Sequence, residues 1–153
     1  MLRASVLLCC IYFAALTPYL AYAMTDEQRA KIHAHFEEMG MACMSEAPIT
    51  PEDIAAFKAR KMATGPNAPC FVACVMRKCG VMDDAGMVHQ EKALDRAKEV
   101  FEDAEEIKNI ENYLHSCNHV NSAAVGDGDK GCERAVLALK CMHENAAQFG
   151  FDL

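Results

Sequence analysis

Nine cysteines in 153 residues constrain this chain more than any other feature. Cys9 and Cys10 sit together in an apolar N-terminal run. The other seven are Cys43, Cys70, Cys74, Cys79, Cys117, Cys132 and Cys141. What they do depends on the redox compartment, and the N-terminus speaks to that. Met1-Leu2-Arg3 supplies one positive charge, and Ala4 to Leu16 is apolar without a charge. Thr17-Pro18 breaks the run, and Ala21-Tyr22-Ala23 is a small-x-small cleavage signal before Met24. That order is a secretory signal peptide over residues 1–23. The rival reading is a membrane anchor, since a span needs about 20 residues. The interruption argues against it, as does the absence of a basic stop-transfer cluster: Thr25, Asp26 and Glu27 follow. The expectation is a precursor whose mature part, residues 24–153, is one extracellular domain without membrane insertion. In an oxidising compartment seven thiols read as a disulfide framework. Seven is odd, so one is unpaired or bonds another chain, and monomer and dimer both stay open.

The chain carries a formal net charge of −7, and cleavage removes Arg3 as well. So acidic a domain is a poor partner for nucleic acid or an anionic membrane surface. Hydrophobic periodicity is helical throughout, and no segment alternates as a strand does. Thr25 with Gln28 forms a capping box for a first helix, whose Ile32, Phe36, Met39 and Cys43 share a face. Thr50-Pro51-Glu52-Asp53 starts a second, with Ile49 and Ile54 placed as a hydrophobic staple. Ile54, Phe57 and either the Lys61 stem or Met62 form its buried face. Further helices are expected over about 68–79, with Gly80 at its C′ position, and over about 90–101. A fifth carries Ile107, Ile110, Leu114 and Cys117, and a sixth runs over about 132–148. The fold class is all-α, a compact domain of about six helices.

Helical geometry limits the bridges. Cys70 and Cys74 lie one turn apart on one face, so each is better placed to reach a different neighbour than its companion. Cys132 and Cys141 are half a turn out of phase and point to opposite sides of the last helix. Cys79 is turned away from Cys74 at a helix end and is the natural odd thiol. Connectivity is not derivable from this, because six cysteines allow 15 pairings.

From Cys43 the gaps to Cys70, Cys74, Cys117, Cys132 and Cys141 are 26, 3, 42, 14 and 8 residues. This spacing, above all C-x3-C and C-x8-C, resembles the six-cysteine signature of the insect odorant-binding proteins. The resemblance covers essentially the whole mature chain. It implies bridges Cys43–Cys74, Cys70–Cys132 and Cys117–Cys141, interlocked around a buried apolar cavity. It implies a carrier that moves small hydrophobic volatiles through aqueous sensory fluid, with a sensory-neuron receptor as a further partner. By loop entropy each bridge contributes at most roughly 3.5–4.3 kcal/mol. Cys79 lies outside the family pattern and is read as a buried free thiol acting as a small hydrophobe, against an intermolecular or redox role.

Enzymatic motifs are missing: there is no G-x-S-x-G, P-loop or H-E-x-x-H. Asp127-Gly128-Asp129-Lys130-Gly131 hints at a calcium loop, but an EF-hand needs Glu where Ala138 stands. It reads as a turn. His115, Cys117 and His119 do not make a metal site if Cys117 is bridged. No cofactor is expected. The methionines are flexible and polarizable, as suits a pocket for varied apolar shapes. Candidate pocket residues on inward helical faces are Ile32, Phe36, Phe57, Met76, Leu94, Ile110, Leu114, Val136 and Leu139. The Tyr113 hydroxyl is a candidate partner for an alcohol or carbonyl ligand. Phe149, Phe151 and Leu153 are either a lid over the pocket mouth or a frayed terminus. Two alternative functions stay open: a non-olfactory extracellular carrier of lipids, hormones or toxins, and a secreted helical signalling protein without a cavity.

Overall fold

The computed structural model describes residues 24–151. The signal peptide expected at 1–23, with Cys9 and Cys10, lies outside the described residues, as does Leu153. Six α-helices follow in order: α1 Asp26–Cys43, α2 Pro51–Lys58, α3 Ala68–Lys78, α4 Glu91–Ala97, α5 Ala104–His115 and α6 Cys132–Ala146. Short 3-10 turns occupy Asn118–Ser122, Gly128–Lys130 and Ala147–Phe149. Among the described residues the extended pairing is an isolated antiparallel bridge between Met82 and Val88.

Caps set the helix starts. The Thr25 hydroxyl accepts from Gln28 N, and Gln28 Oε1 accepts from Thr25 N at 2.8 Å, the reciprocal pairing of a capping box. At α2, Asp53 has a second task. Its carboxylate accepts from Thr50 N and also from Gly65 N, at 2.8 Å. A cap thereby fastens the turn after the helix. A Cβ on residue 65 would lie 2.1 Å from Asp53 Oδ2, so only glycine fits this approach. These backbone donors hold the Asp53 carboxyl below its usual range. Ile54, expected in the staple, is exposed, as are Lys61 and Met62. Arg60 turns the chain at φ 56° soon after Lys58, which withdraws the following residues from the helical face.

The centre of the fold is α3 packed on α6, with α1 against α3. Ala73, Ala135 and Ala138 are fully buried there. Small side chains at a helix crossing permit close approach, and Val72, Met76 and Met82 fill the flanks. A smaller cluster joins the end of α1 to α3 through Cys43, Ala47, Phe71 and Cys74, with Phe57 stacked on Phe71 at 5.8 Å. A third cluster forms where α5, the end of α6, Phe101 and the tail meet.

The bridges are Cys43–Cys74, Cys70–Cys132 and Cys117–Cys141. They join α1 to α3, α3 to α6, and the turn after α5 to α6. Cys79 is free and buried. Cys117 is not on the fifth helix as its spacing suggested. α5 stops at His115, where the Ser116 hydroxyl donates to Tyr113 O at 2.7 Å and a 3-10 turn begins. The fourth helix is also shorter than expected, ending at Ala97. Val100 N and Phe101 N both donate to Ala97 O, so the chain closes a turn there before Asp103 caps α5. Two arginines that no motif singled out hold the loops. Arg77 Nη2 donates to Asp129 O and Lys130 O, and the buried Arg134 Nη1 donates to Val120 O at 2.6 Å. Asp127 works as a turn residue: its carboxylate accepts from Glu133 N at 3.1 Å in the first turn of α6.

Candidate functional site

The site begins with the end of α3. Gly80 N donates to Arg77 O and Val81 N to Met76 O, with Gly80 at φ 79°. This is a Schellman turn, and its left-handed position is why glycine stands at C′. The turn reverses the chain so that Cys79 and Val81 form the floor of a half-open recess of about 280 Å³. One edge is α1, which presents Ile32, His35 and Phe36 at helical spacing. Opposite stand α4 with Ala93 and Ala97, then Val100 and Phe101. Ile110, Tyr113 and Leu114 of α5, Met142 of α6, Met24 and Phe151 complete the wall.

The bonded cysteines take no part in this lining. The recess lies beside the bonded cysteines rather than among them. The fully buried Ala73, Ala135 and Ala138 occupy the α3–α6 crossing next to it. Of the candidate pocket residues, Ile32, Phe36, Ile110, Tyr113, Leu114 and Phe151 line the recess. Leu94 and Phe149 pack against the cluster behind it. Met76 and Leu139 belong to the α3–α6 core, and Phe57 packs there and beside Phe71. Val136 is half-buried outside the lining. Inward on α2, on α3 or at Leu139 of α6 means toward the framework, whereas inward on α1 or α5, and at Met142 near the end of α6, means toward the recess. Among the described methionines only Met24 and Met142 reach the lining, so this is an aromatic and aliphatic wall rather than a methionine-rich one. Met41 is 78% exposed.

Polar groups in the wall are few. Lys31, Arg96 and Glu99 stand at the exposed rim, Lys31 paired with Glu27 at 3.0 Å. The Tyr113 hydroxyl, expected to face a ligand, donates to Met142 O at 3.0 Å, so its hydrogen ties α5 to α6. Burial pushes its pKa up to about 12. Burial also pushes the Cys79 thiol up to about 11, against the lowering effect of Arg96. A protonated, enclosed thiol is a weak nucleophile. His35 Nε2 is withdrawn from water and has no hydrogen-bond partner. Sequence reasoning passed over His35, although its place three residues after Ile32 on the same face was the available signal. It also did not name Met24, Cys79, Val81 or Phe101 as wall residues, although Cys79 stood out as the odd thiol and Phe101 as the end of the fourth helix; they reach the recess from turns and element ends.

The tail is ordered through Phe151. Asn109 Nδ2 donates to Phe149 O at 2.7 Å, and Phe151 N to Ala146 O at 2.9 Å. The Tyr113 ring meets Phe149 and Phe151 at centroid distances of 5.6 and 4.9 Å, both tilted, a favourable aromatic geometry. The frayed terminus is therefore set aside as far as Phe151, which is buried in the wall. Among the described residues no group of three or more His, Cys, Asp or Glu is placed to hold a metal, and no helix is long and apolar enough to cross a membrane.

The structure is similar to the odorant-binding protein dmelOBP28a from Drosophila melanogaster, with a TM-score of 0.59 and 24% identity, over 79% of this chain and 97% of that one. It is also similar to a pheromone-binding protein of the cockroach Leucophaea maderae solved with the fluorescent reporter ANS, with a TM-score of 0.55 and 18% identity, over 72% and 92% of the two chains. In sequence it is 26% identical over 120 residues to general odorant-binding protein 19d of Drosophila melanogaster, covering 78% of this chain and 77% of the relative. The PBP/GOBP family model matches residues 25–145, and the chain belongs to that family.

Proposed function

We propose that residues 24–153 are released from a secreted precursor by cleavage before Met24, and that the mature domain reversibly carries small apolar molecules through an aqueous extracellular fluid. The observation that carries this reading is the half-open, almost wholly apolar recess between α1, α4, α5 and the tail. Its volume of about 280 Å³ holds roughly ten non-hydrogen atoms, given about 30 Å³ for each water in the liquid. That is the size of a volatile. A dissociation constant of 1 μM requires about 8 kcal/mol. Spread over ten atoms this is roughly 0.8 kcal/mol each, below the ceiling of about 1.5 for the best small ligands. Micromolar binding is thus within reach of apolar contact alone. Family membership supports the carrier role.

The test is titration of the folded, oxidised mature domain with N-phenyl-1-naphthylamine, followed by displacement with volatiles of about ten non-hydrogen atoms. Saturable one-to-one uptake and competitive displacement are expected. No uptake by correctly bridged protein overturns the carrier reading and favours a signalling protein without a binding site. Expression confined to non-sensory tissue would keep the carrier and remove the olfactory role.

A further inference from the structure

We infer that Met24 sets the length of chain the recess accepts, because its side chain is the yielding part of a partition between the recess and a second, smaller one behind it. The inference rests on the carrier reading above and deepens it.

The smaller recess has a volume of about 10 Å³, room for about one water molecule. Met24, Phe101, Ile110 and Phe151 line both recesses. Side chains that border two recesses form the partition between them. All four are buried, and all belong to the cluster where α5 meets the tail. The far side of the smaller recess is closed by Glu106 and Asn109. Both are engaged: Glu106 Oε2 accepts from Gln28 Nε2 at 3.4 Å, and Asn109 Nδ2 donates to Phe149 O. An apolar chain that passed the partition would stop there, since it has nothing to offer either group.

The members of the partition are not equally fixed. Ile110 lies within α5, and β-branching stiffens its side chain. Phe101 sits in a turn closed by its own N–H on Ala97 O. Phe151 donates its N–H to Ala146 O, and its ring centroid lies 4.9 Å from that of Tyr113. Met24 precedes Thr25, the N-cap of α1. The proposed cleavage makes it the first residue of the mature chain, and chain ends are the positions least tied down. Its unbranched side chain has several rotatable bonds and adapts to irregular gaps. Met24 therefore limits how deep a chain reaches, and its size can be changed without disturbing a helix. Loss of Cγ, Sδ and Cε would leave room for about three more chain atoms. Carbons beyond the capacity of the recess otherwise stay in water at the open mouth, where they add little affinity.

The test is a cycle of two ligands and three proteins. One ligand is 1-nonanol, which matches the roughly ten non-hydrogen atoms the recess holds. The other is 1-dodecanol, three methylenes longer. Binding is measured by displacement of N-phenyl-1-naphthylamine from the mature oxidised domain and from its Met24→Ala and Met24→Leu variants. The readout is the dodecanol-to-nonanol affinity ratio, in which differences in aqueous solubility cancel between proteins. In the unsubstituted domain the ratio should stay below about fourfold, the gain from one buried methylene. In Met24→Ala it should rise about tenfold, part of the gain from three, because the vacated space partly collapses. Met24→Leu, similar in volume, should keep the original ratio. An unchanged ratio in Met24→Ala overturns the inference and leaves the carrier standing. So does loss of both alcohols in that variant, which would make Met24 a strut of the wall, and so does a ratio near the full gain of three methylenes in the unsubstituted domain. Failure of both alcohols to displace the probe from the unsubstituted domain overturns the carrier reading as well.

Discussion

Two halves of this molecule are built on opposite terms. Around the α3–α6 crossing, fully buried alanines bring the helices close, and bridges tie α3 to α1 and to α6. Around the recess, α4, the chain to Phe101 and the tail carry no bridge, and they meet α5 through aromatic contacts and single hydrogen bonds. The Cys117–Cys141 bridge marks the border. The difference has a physical reason. An unfilled recess forfeits contact energy along its lining, so a domain that keeps one must be stabilised elsewhere. Covalent links beside the recess do this without occupying it. They also leave the ligand-facing elements free to adjust, because regions with few buried contacts open locally at low cost.

The strongest way to break this comparison is to remove a link. The Cys70–Cys132 bridge encloses the longest loop, with a sequence separation of 62. Replacing both residues by serine should cost about 4 kcal/mol by loop entropy, read as a lowered urea midpoint. A loss under about 1 kcal/mol would mean that α3 and α6 are held by packing alone, and the contrast between the halves would fail. A smaller effect of opposite character is expected on the other side. Phe151→Ala removes a buried ring from the recess wall. It should cost about 2 kcal/mol of stability, less than a fully enclosed Phe. It should also weaken probe binding about tenfold. Unchanged affinity would reduce the tail to a structural strut.

The sequence was informative in proportion to how locally each feature is encoded. Caps at Thr25 and Thr50, the Gly80 turn and the helix faces are written in short spacings, and six helices follow. The pairing of the cysteines is not local, and it was available only through likeness to a family. The recess was half legible. α1 and α5 each have one buried side, so Ile32, Ile110 and Leu114 could be found by periodicity. α3 and α6 bury several sides at once, so inwardness alone did not say whether Met76 or Leu139 faces the core or a ligand. Val81, delivered by a turn, carries no periodic signal at all, and Phe101, although in phase with Leu94 and Ala97, reaches the recess from a turn beyond the helix end.

Tyr113→Phe probes the seam between the halves. Its hydroxyl is the hydrogen bond from α5 to α6 behind the recess. Loss of one such bond should cost about 1 to 1.5 kcal/mol at every pH below the tyrosine range. The methyl and methylene contacts of the wall remain, so the volatile preference should change less than it does in Phe151→Ala. An effect on affinity larger than on stability would show that the hydroxyl also serves the ligand.

The smallest effect concerns Cys79, which belongs to the α3–α6 core and to the recess floor alike. In the folded protein burial raises its pKa from 9.0 to about 11. The unfolded thiol therefore loses its proton first as pH rises. The stability that comes from keeping Cys79 neutral is intact below pH 9.0 and is lost as the pH climbs toward about 11. At pH 7 the titration contributes nothing. Near pH 10 it should lower stability by about 1 kcal/mol, and Cys79→Ala should abolish that increment while retaining its own constant packing cost. The measurement is the difference in urea midpoint between the two proteins at pH 7 and pH 10, taken before disulfide exchange sets in. If the difference does not change with pH, Cys79 is solvated through the recess. Its wall would then be wetter than the closed α3–α6 crossing beside it, and the boundary between the two halves would run on the far side of Cys79.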